Sequence, residues 1–197
     1  MNKKQVLLQA IAPFQIGLNQ KGLKPTENQT KEILSAVAYL EESNPNPSPL
    51  EVPELLLGDW RLLFTSSKEL LGLDRLPIIR TQYIYQCIRD GKIYNIAEFT
   101  GFPFLEGFVS VCASFTPVSR QRVNVRFERS VLGLQRLLNH KNVSEFVKIL
   151  ESKVKLPAVD FPITSTNQKG WLETTYLDEN LRIGRGNEGS IFVLERK

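Results

Sequence analysis

The hydrophobic positions change period once along the chain. Val6, Leu7, Ala10, Ile11, Phe14 and Leu18 recur at helical intervals, and Lys3, Gln5, Gln9 and Gln15 occupy much of the opposite side. The spacing predicts an amphipathic helix that Pro13 ends or kinks. After the breaker segment Lys21 to Pro25, Thr26-Glu27-Asn28-Gln29 fits a capping box and leads into Ile33, Leu34, Val37 and Leu40 on one face. This predicts a second helix reaching about Glu42. Ser43 to Pro53 holds four prolines among polar residues, so it reads as an extended connector.

Beyond Gly58 the period falls to 2. Val123, Val125 and Phe127 alternate with Arg122, Asn124, Arg126 and Glu128, which predicts a strand with one wet face. Similar runs cover Trp60 to Thr65, Gln82 to Arg89, Lys92 to Phe99, Phe108 to Phe115, Trp171 to Leu177, Leu181 to Arg185 and Ser190 to Glu195. Turn signals at Asp90-Gly91, Thr116-Pro117, Asp178-Glu179-Asn180 and Gly186-Asn187-Glu188-Gly189 join several of them. About eight short strands joined by hairpins predict an antiparallel meander that closes into a β-barrel. Helical spacing returns between Leu134 and Asp160, at Leu137, Leu138, Val143, Phe146, Val147 and Leu150. A helical insertion there divides earlier from later strands and is expected as a plug or lid on one mouth. The expected organisation is mainly β with α: a helical prefix and connector over 1–53 and a barrel over 54–197, forming one structural unit.

Composition narrows the functional classes. Hydrophobic residues make up 42% and charged residues 23% of the 197, which excludes a disordered or fibrous chain. A net charge of +4 favours an anionic membrane surface and is modest for a nucleic-acid binder. Cys87 and Cys112 sit in apolar runs without C-x-x-C spacing and read as free buried thiols. No run is apolar and long enough to span a bilayer as a helix, so membrane contact is expected to be peripheral. The first residues lack the pattern of a secretory signal or transit peptide, which predicts a bacterial cytosolic protein or an already processed one.

The catalytic inventory is thin. His140 is the single histidine and lies in the polar cluster Asn139 to Asn142, where it reads as a solvated loop residue. No G-x-S-x-G, H-E-x-x-H, phosphate-loop or dinucleotide fingerprint is present, so no catalytic residue, metal site or cofactor is assigned. Glu173, Asp178, Glu179 and Glu188 read as exposed turn charges. Arg120, Arg122, Arg126 and Arg129 form a stripe that fits a solvated strand face, a groove for acidic headgroups or an internal polar lining.

The internal alternative matters because a barrel of about eight strands can hold one small ligand. An arginine can pair there with a carboxylate while aromatic residues enclose an apolar body. Candidate lining residues are Tyr83, Tyr85, Tyr94, Phe99, Phe108, Phe115, Phe127 and Phe192, with Arg126 or Arg182 as the polar anchor. Each aromatic also fits an ordinary core role, and the pattern leaves open which strand face points inward.

The run Gly58-Asp59-Trp60-Arg61-Leu62-Leu63-Phe64-Thr65-Ser66-Ser67 resembles the opening strand of the plastid lipid-associated protein (fibrillin) family. The run from Tyr176 to Leu194 resembles that family's closing segment, and Asn44-Pro45-Asn46-Pro47 fits as well, so the resemblance covers nearly the whole chain. The family is similar to lipocalins, whose G-x-W element is matched by Gly58-Asp59-Trp60; their T-D-Y element is matched by Thr174-Thr175-Tyr176 only at its ends. Gly58, Trp60, Tyr176 and Arg185 are therefore expected in structural roles, with Trp60 covering the barrel floor beneath Arg185 or Arg196.

The resemblance implies a cyanobacterial-type member that binds, stores or transports an apolar molecule such as a carotenoid, prenylquinone, tocopherol or fatty acid. Its place would be at thylakoid membranes, plastoglobule-like lipid globules or in the cytoplasm, or in the plastid for a processed eukaryotic member. The implied role is photoprotective or structural rather than enzymatic, with no nucleic acid and with protein partners at the N-terminal helices. The alternatives are a ligand-free structural coat or adaptor and, from another class, a tetrapyrrole-handling lyase-like enzyme.

Overall fold

Asn2 and Thr26 start the two N-terminal helices by the same device. In α1 (Lys3–Ile11) the Asn2 side chain accepts from the Lys4 amide at 3.1 Å, and the Asn2 amide donates to Gln5 Oε1 at 3.3 Å. In α2 (Glu27–Glu41) Thr26 and Gln29 make the reciprocal pair expected from the sequence, at 3.3 and 2.9 Å. Helix α1 stops before Pro13, which enters a single 3-10 turn over Ala12–Phe14. The computed structural model describes residues 2–16, 24–67, 79–101, 105–134, 142–152, 157–164 and 169–197. Leu18, Leu137, Leu138 and His140 lie outside the described residues.

The connector contains a 3-10 turn over Pro49–Glu51 and the one-turn helix α3 (Pro53–Leu56). The strands that follow are β1 (Gly58–Thr65), β2 (Ile79–Arg89), β3 (Lys92–Gly101), β4 (Leu105–Pro117) and β5 (Arg122–Leu134). Helix α4 (Val143–Glu151) precedes β6 (Ala158–Pro162), β7 (Gly170–Leu177), β8 (Leu181–Gly186) and β9 (Ile191–Arg196). All pairings are antiparallel in the order β4-β3-β2-β1-β9-β8-β7-β5-β6, and a further β4–β5 pairing closes an eight-stranded ring. The ninth strand, β6, is an addition that the sequence pattern did not reveal. It pairs with the end of β5 beyond the reach of β7, and its residues 158–162 are short and largely exposed.

Residues paired across strands share a face, so the register assigns each to the inside or the outside. Trp60, Leu62, Ile84, Ile88, Ala97, Leu177 and Leu194 form the interior cluster, closed from below by Leu56. Helices α1 and α2 cover the outer wall through Leu7, Ile11, Ile33, Val37 and Leu40 against Leu63, Tyr176, Ile183 and Val193. Helix α4 covers the opposite outer wall, with Phe146, Val147 and Leu150 against Cys87, Tyr94, Ile96 and Val131. Helix α4 is therefore not the plug expected from its place in the sequence. Its apolar stripe finds an apolar outer column of β2–β5, and burying that stripe there keeps it away from the mouth.

Two asparagines explain the connector. Strand β7 pairs with β5 only through Gly170 to Glu173, which leaves the later part of that edge without a strand neighbour. Asn44 Nδ2 donates to Thr175 O at 2.9 Å and Asn44 Oδ1 accepts from Leu177 N at 3.1 Å. Asn46 Nδ2 donates to Leu177 O at 2.9 Å. Side-chain amides thus satisfy backbone groups that a missing strand would have satisfied.

A buried carboxylate, Asp59, and a partly buried one, Asp178, pin the helices to the barrel. Asp178 receives Lys4 Nζ at 2.8 Å, the Tyr176 hydroxyl at 2.8 Å and the Asn180 and Leu181 amides. Asp59 receives Arg89 Nη2 at 2.7 Å and the Ser144 hydroxyl at the start of α4. Burial alone would raise both acids, but these donors outweigh it and hold both below the ordinary carboxylate value.

Two outcomes follow. Asn44→Ala should lower unfolding free energy by ~1–3 kcal/mol in urea titrations, because it orphans two backbone groups. Since the folded pKa values of Asp59 and Asp178 are depressed, the stability they contribute is present above about pH 4 and is lost as pH falls further. The thermal midpoint should fall in that acid range, and less steeply in Asp59→Asn.

Candidate functional site

Trp60 forms the barrel floor. It is fully buried, and its Nε1 donates to Leu56 O at 2.9 Å, tying it to α3. Arg196 lies over the ring at 4.5 Å and donates to the carbonyls of Leu57 at 3.1 Å, Glu179 at 3.0 Å and Leu55. Gly58 has φ +136°, and a Cβ there would meet Arg196 Nη1 at 2.8 Å. The glycine is thus required twice, for its backbone conformation and for the arginine beside it. Of the two arginines expected over Trp60, Arg196 takes that place. Arg185 points to the outer wall and grips Glu41 of α2 through Nε at 2.9 Å and Nη2 at 2.6 Å.

A second guanidinium approaches Trp60 from within the barrel. Arg182 is 1% exposed, with its guanidinium carbon 5.1 Å from the ring. Its Nη2 donates to Gln86 Oε1 at 2.5 Å, and Gln86 Nε2 donates to Asn95 Oδ1 at 3.0 Å. Its Nε has no acceptor. Burial, reinforced by the charge of Arg196, pulls its pKa down to about 9. Gln86 and Asn95 face inward between Ile84 and Ile88 and between Ile93 and Ala97. A polar residue in an apolar column was the signal that could have singled them out in the sequence.

The register sorts the expected lining residues into two groups. Phe115 and Phe192 pack on the interior cluster, and Phe99 lies over Gly107, where a Cβ would meet its ring at 2.5 Å. Phe127 pairs with Ala113, which pairs with the interior residue Ile93, so it also faces inward. Tyr85, Tyr94 and Phe108 belong instead to the outer layer under α4, where Phe108 meets Phe146 edge-on at 4.5 Å. Tyr83 shares their outer side, since it lies two residues from Tyr85 beyond the bulge and 5.5 Å from Arg61. Arg126 pairs with Ser114 on the outer face. These five are therefore not interior lining: strand alternation permitted either face, and the helical layer took the outer one.

The lower barrel is well filled. A cavity of about 20 Å³ remains beside Arg182, between Leu56, Ile88, Phe115, Val123 and Thr174. That accommodates about one water molecule. The upper inner face differs. Leu132 is 45%, Val159 62% and Phe161 48% exposed, and Phe127 is exposed beside them. Val109–Leu132–Val159 and Val111–Ser130–Phe161 are cross-strand rows that continue interior positions of β3 and β4. A bulge between Phe127 and Arg129 shifts the inward parity of β5, so that Leu132 stays on the inner face.

The basic stripe is largely paired outside. Arg120 meets Glu51, Arg122 meets Glu173 and Arg129 meets Asp160. Cys87 and Cys112 are free thiols on the outer wall, flanking Tyr94 in one cross-strand row, and burial pushes both upward. Burial likewise raises the Glu98 carboxyl on that wall. Helices α1 and α2 spend their apolar faces on the barrel, leaving Leu34 and Tyr39 exposed outward. No described helix is long and apolar enough to cross a membrane.

The family described as PAP_fibrillin matches residues 1–195. A light-induced chloroplastic protein of Solanum tuberosum is 33% identical over 219 aligned positions, covering 96% of this chain and 67% of the relative. Plastid lipid-associated protein 1 of Brassica campestris is 32% identical, covering 90% of this chain and 63% of the relative. A chromoplast-specific carotenoid-associated protein of Cucumis sativus is 31% identical, covering 88% and 62%. The chain thus spans about two thirds of the length of these relatives.

Among the described residues Arg182 meets no carboxylate, and a buried cation without one weakens the fold it occupies. The double substitution Arg182→Met with Gln86→Leu should leave the chain within about 1 kcal/mol of the original or more stable in urea unfolding. A loss of several kcal/mol would show instead that the polar pair is needed for folding.

Proposed function

The chain belongs to the PAP_fibrillin family, and we propose that it is a lipid-associated protein that holds an apolar small molecule on the inner face of its barrel mouth. The observation that carries this reading is the exposed row Phe127, Leu132, Val159 and Phe161, which lies on a face that the rest of the barrel buries. Covering these roughly half-exposed side chains contributes on the order of 3–6 kcal/mol. That does not by itself offset the cost of association, so the ligand must also bury much of its own surface. A carotenoid, prenylquinone, tocopherol or fatty acid meets that requirement. The names of the relatives, which speak of plastid lipid and of carotenoid, support the same class.

The role that fits is binding, storage or transport with a photoprotective or structural outcome, at a thylakoid or lipid-globule surface. The chloroplastic and chromoplastic relatives favour a plastid-type setting over a purely cytoplasmic one. We read the protein as non-catalytic. A ligand-free coat or adaptor is the second reading, and the filled lower barrel, with its cavity of about 20 Å³, is the observation in its favour.

Mass spectrometry of gently purified protein, followed by uptake of β-carotene, plastoquinone and α-tocopherol from dispersions, separates the two. Uptake reduced at least tenfold by Leu132→Asp or Phe161→Asp, with unchanged circular dichroism, is the expected result. Absence of any co-purified or acquired apolar ligand would leave the adaptor reading standing.

A further inference from the structure

The protein itself shows how its arginines take a carboxylate. Arg122, Arg129 and Arg185 each present the Nε–Nη2 edge, at 2.9 and 2.6 Å, to Glu173, Asp160 and Glu41 respectively. Arg182 is more deeply buried than any of these. The same edge of its guanidinium carries only a neutral amide oxygen on Nη2 and nothing on Nε. Among the described residues no carboxylate pairs with it, and the charge of Arg196 that acts on it is of like sign. A water in the adjoining cavity would satisfy the orphan N–H without neutralising the charge.

The cavity beside Arg182 is about 20 Å³, so a carboxylate reaches the guanidinium only as the inner face repacks along the row that leads from it. From Arg182 the polar relay passes through Gln86 to Asn95, and one inward-facing row then continues Gln86–Asn95–Val111–Ser130–Phe161. Four inter-strand spacings of ~4.8 Å put the exposed Phe161 about 19 Å around the wall from Gln86. An ionised head at one end and a long apolar tail at the other match this layout.

We propose that the barrel receives a long-chain carboxylic acid, with the Nε–Nη2 edge of Arg182 as its head-group anchor and the Leu132–Val159–Phe161 mouth as the support of its tail. The carboxylate takes the open Nε and replaces the Gln86 oxygen on Nη2. Gln86 and Asn95 turn their amide donors towards it. Burial makes such a pair strong, since one charge is already desolvated and fixed in the free protein. This inference rests on the apolar-ligand reading above and narrows it to acids over neutral pigments and quinones.

The test compares palmitic acid with methyl palmitate by calorimetry on the full chain. The acid should bind at least tenfold more tightly than the ester, and Arg182→Met should bring the two to equal affinity while leaving ester binding in place. Acetate and chloride, each in tenfold excess, should displace nothing; displacement by either would make the site one for a small free anion and overturn the proposal. Equal affinity of acid and ester in the unsubstituted chain would overturn the anchor but spare the apolar-ligand reading, whereas binding of neither would overturn both. Should Arg182→Met fail to fold, palmitate carrying ¹³C at the carboxyl decides the matter on the unsubstituted chain. Its bound resonance should stay at the ionised position well below the pH at which an ordinary carboxyl protonates, and an ordinary titration would refute the pairing.

Discussion

The contact of Arg196 with Trp60 holds the ends of the barrel together. Arg196 ends the last strand, Trp60 begins the first, and the carbonyls that Arg196 binds belong to α3, the residue after it and the β7–β8 turn. One side chain thereby joins three separate stretches of chain around a buried aromatic ring. The glycine at Gly58 is a consequence, since its φ of +136° and the missing Cβ leave room for the guanidinium. With the floor closed and the first and last strands paired, the ring of strands is completed by β4 and β5, and each wall acquires a defined inside and outside.

That division explains how so small a protein uses both faces of its sheet. The interior is apolar near the floor, and the outer faces are also apolar wherever a helix lies on them. Helices α1 and α2 serve one side, α4 the other, and the carboxylates of Asp178 and Asp59 fasten them there. Most aromatic residues are therefore structural. Phe161 is half-exposed at the mouth, on the short strand β6 that extends β5 alone.

Charge is distributed by the same logic. Cations on the outer wall meet carboxylates, which costs little where water still screens them. Among the described residues Arg182 differs: it is a buried cation that meets a neutral amide and an indole face but no carboxylate. Buried charges without partners are expensive, and folded proteins retain such costs chiefly where a ligand or a reaction removes them. The filled floor and the exposed inner-face residues Leu132, Val159 and Phe161 then become two parts of one arrangement.

The sequence by itself determined the elements. Period 3.6 before the proline-rich connector and period 2 after it are local properties of a helix and a strand, and the capping box at Thr26 and the turn glycine at Gly91 are local too. The G-x-W and closing motifs were legible for the same reason, as local strings of residues. Only the tertiary structure decided which side of each strand was the inside. Alternation is symmetric, so a strand apolar on both faces reads identically from either, and Tyr83, Tyr85, Tyr94 and Phe108 went outward because α4 and its neighbours supplied the second apolar layer. Strand β6, the buried guanidinium of Arg182 and the exposed apolar residues near the mouth likewise depend on contacts between residues far apart in sequence, and such contacts leave no periodic trace along the chain.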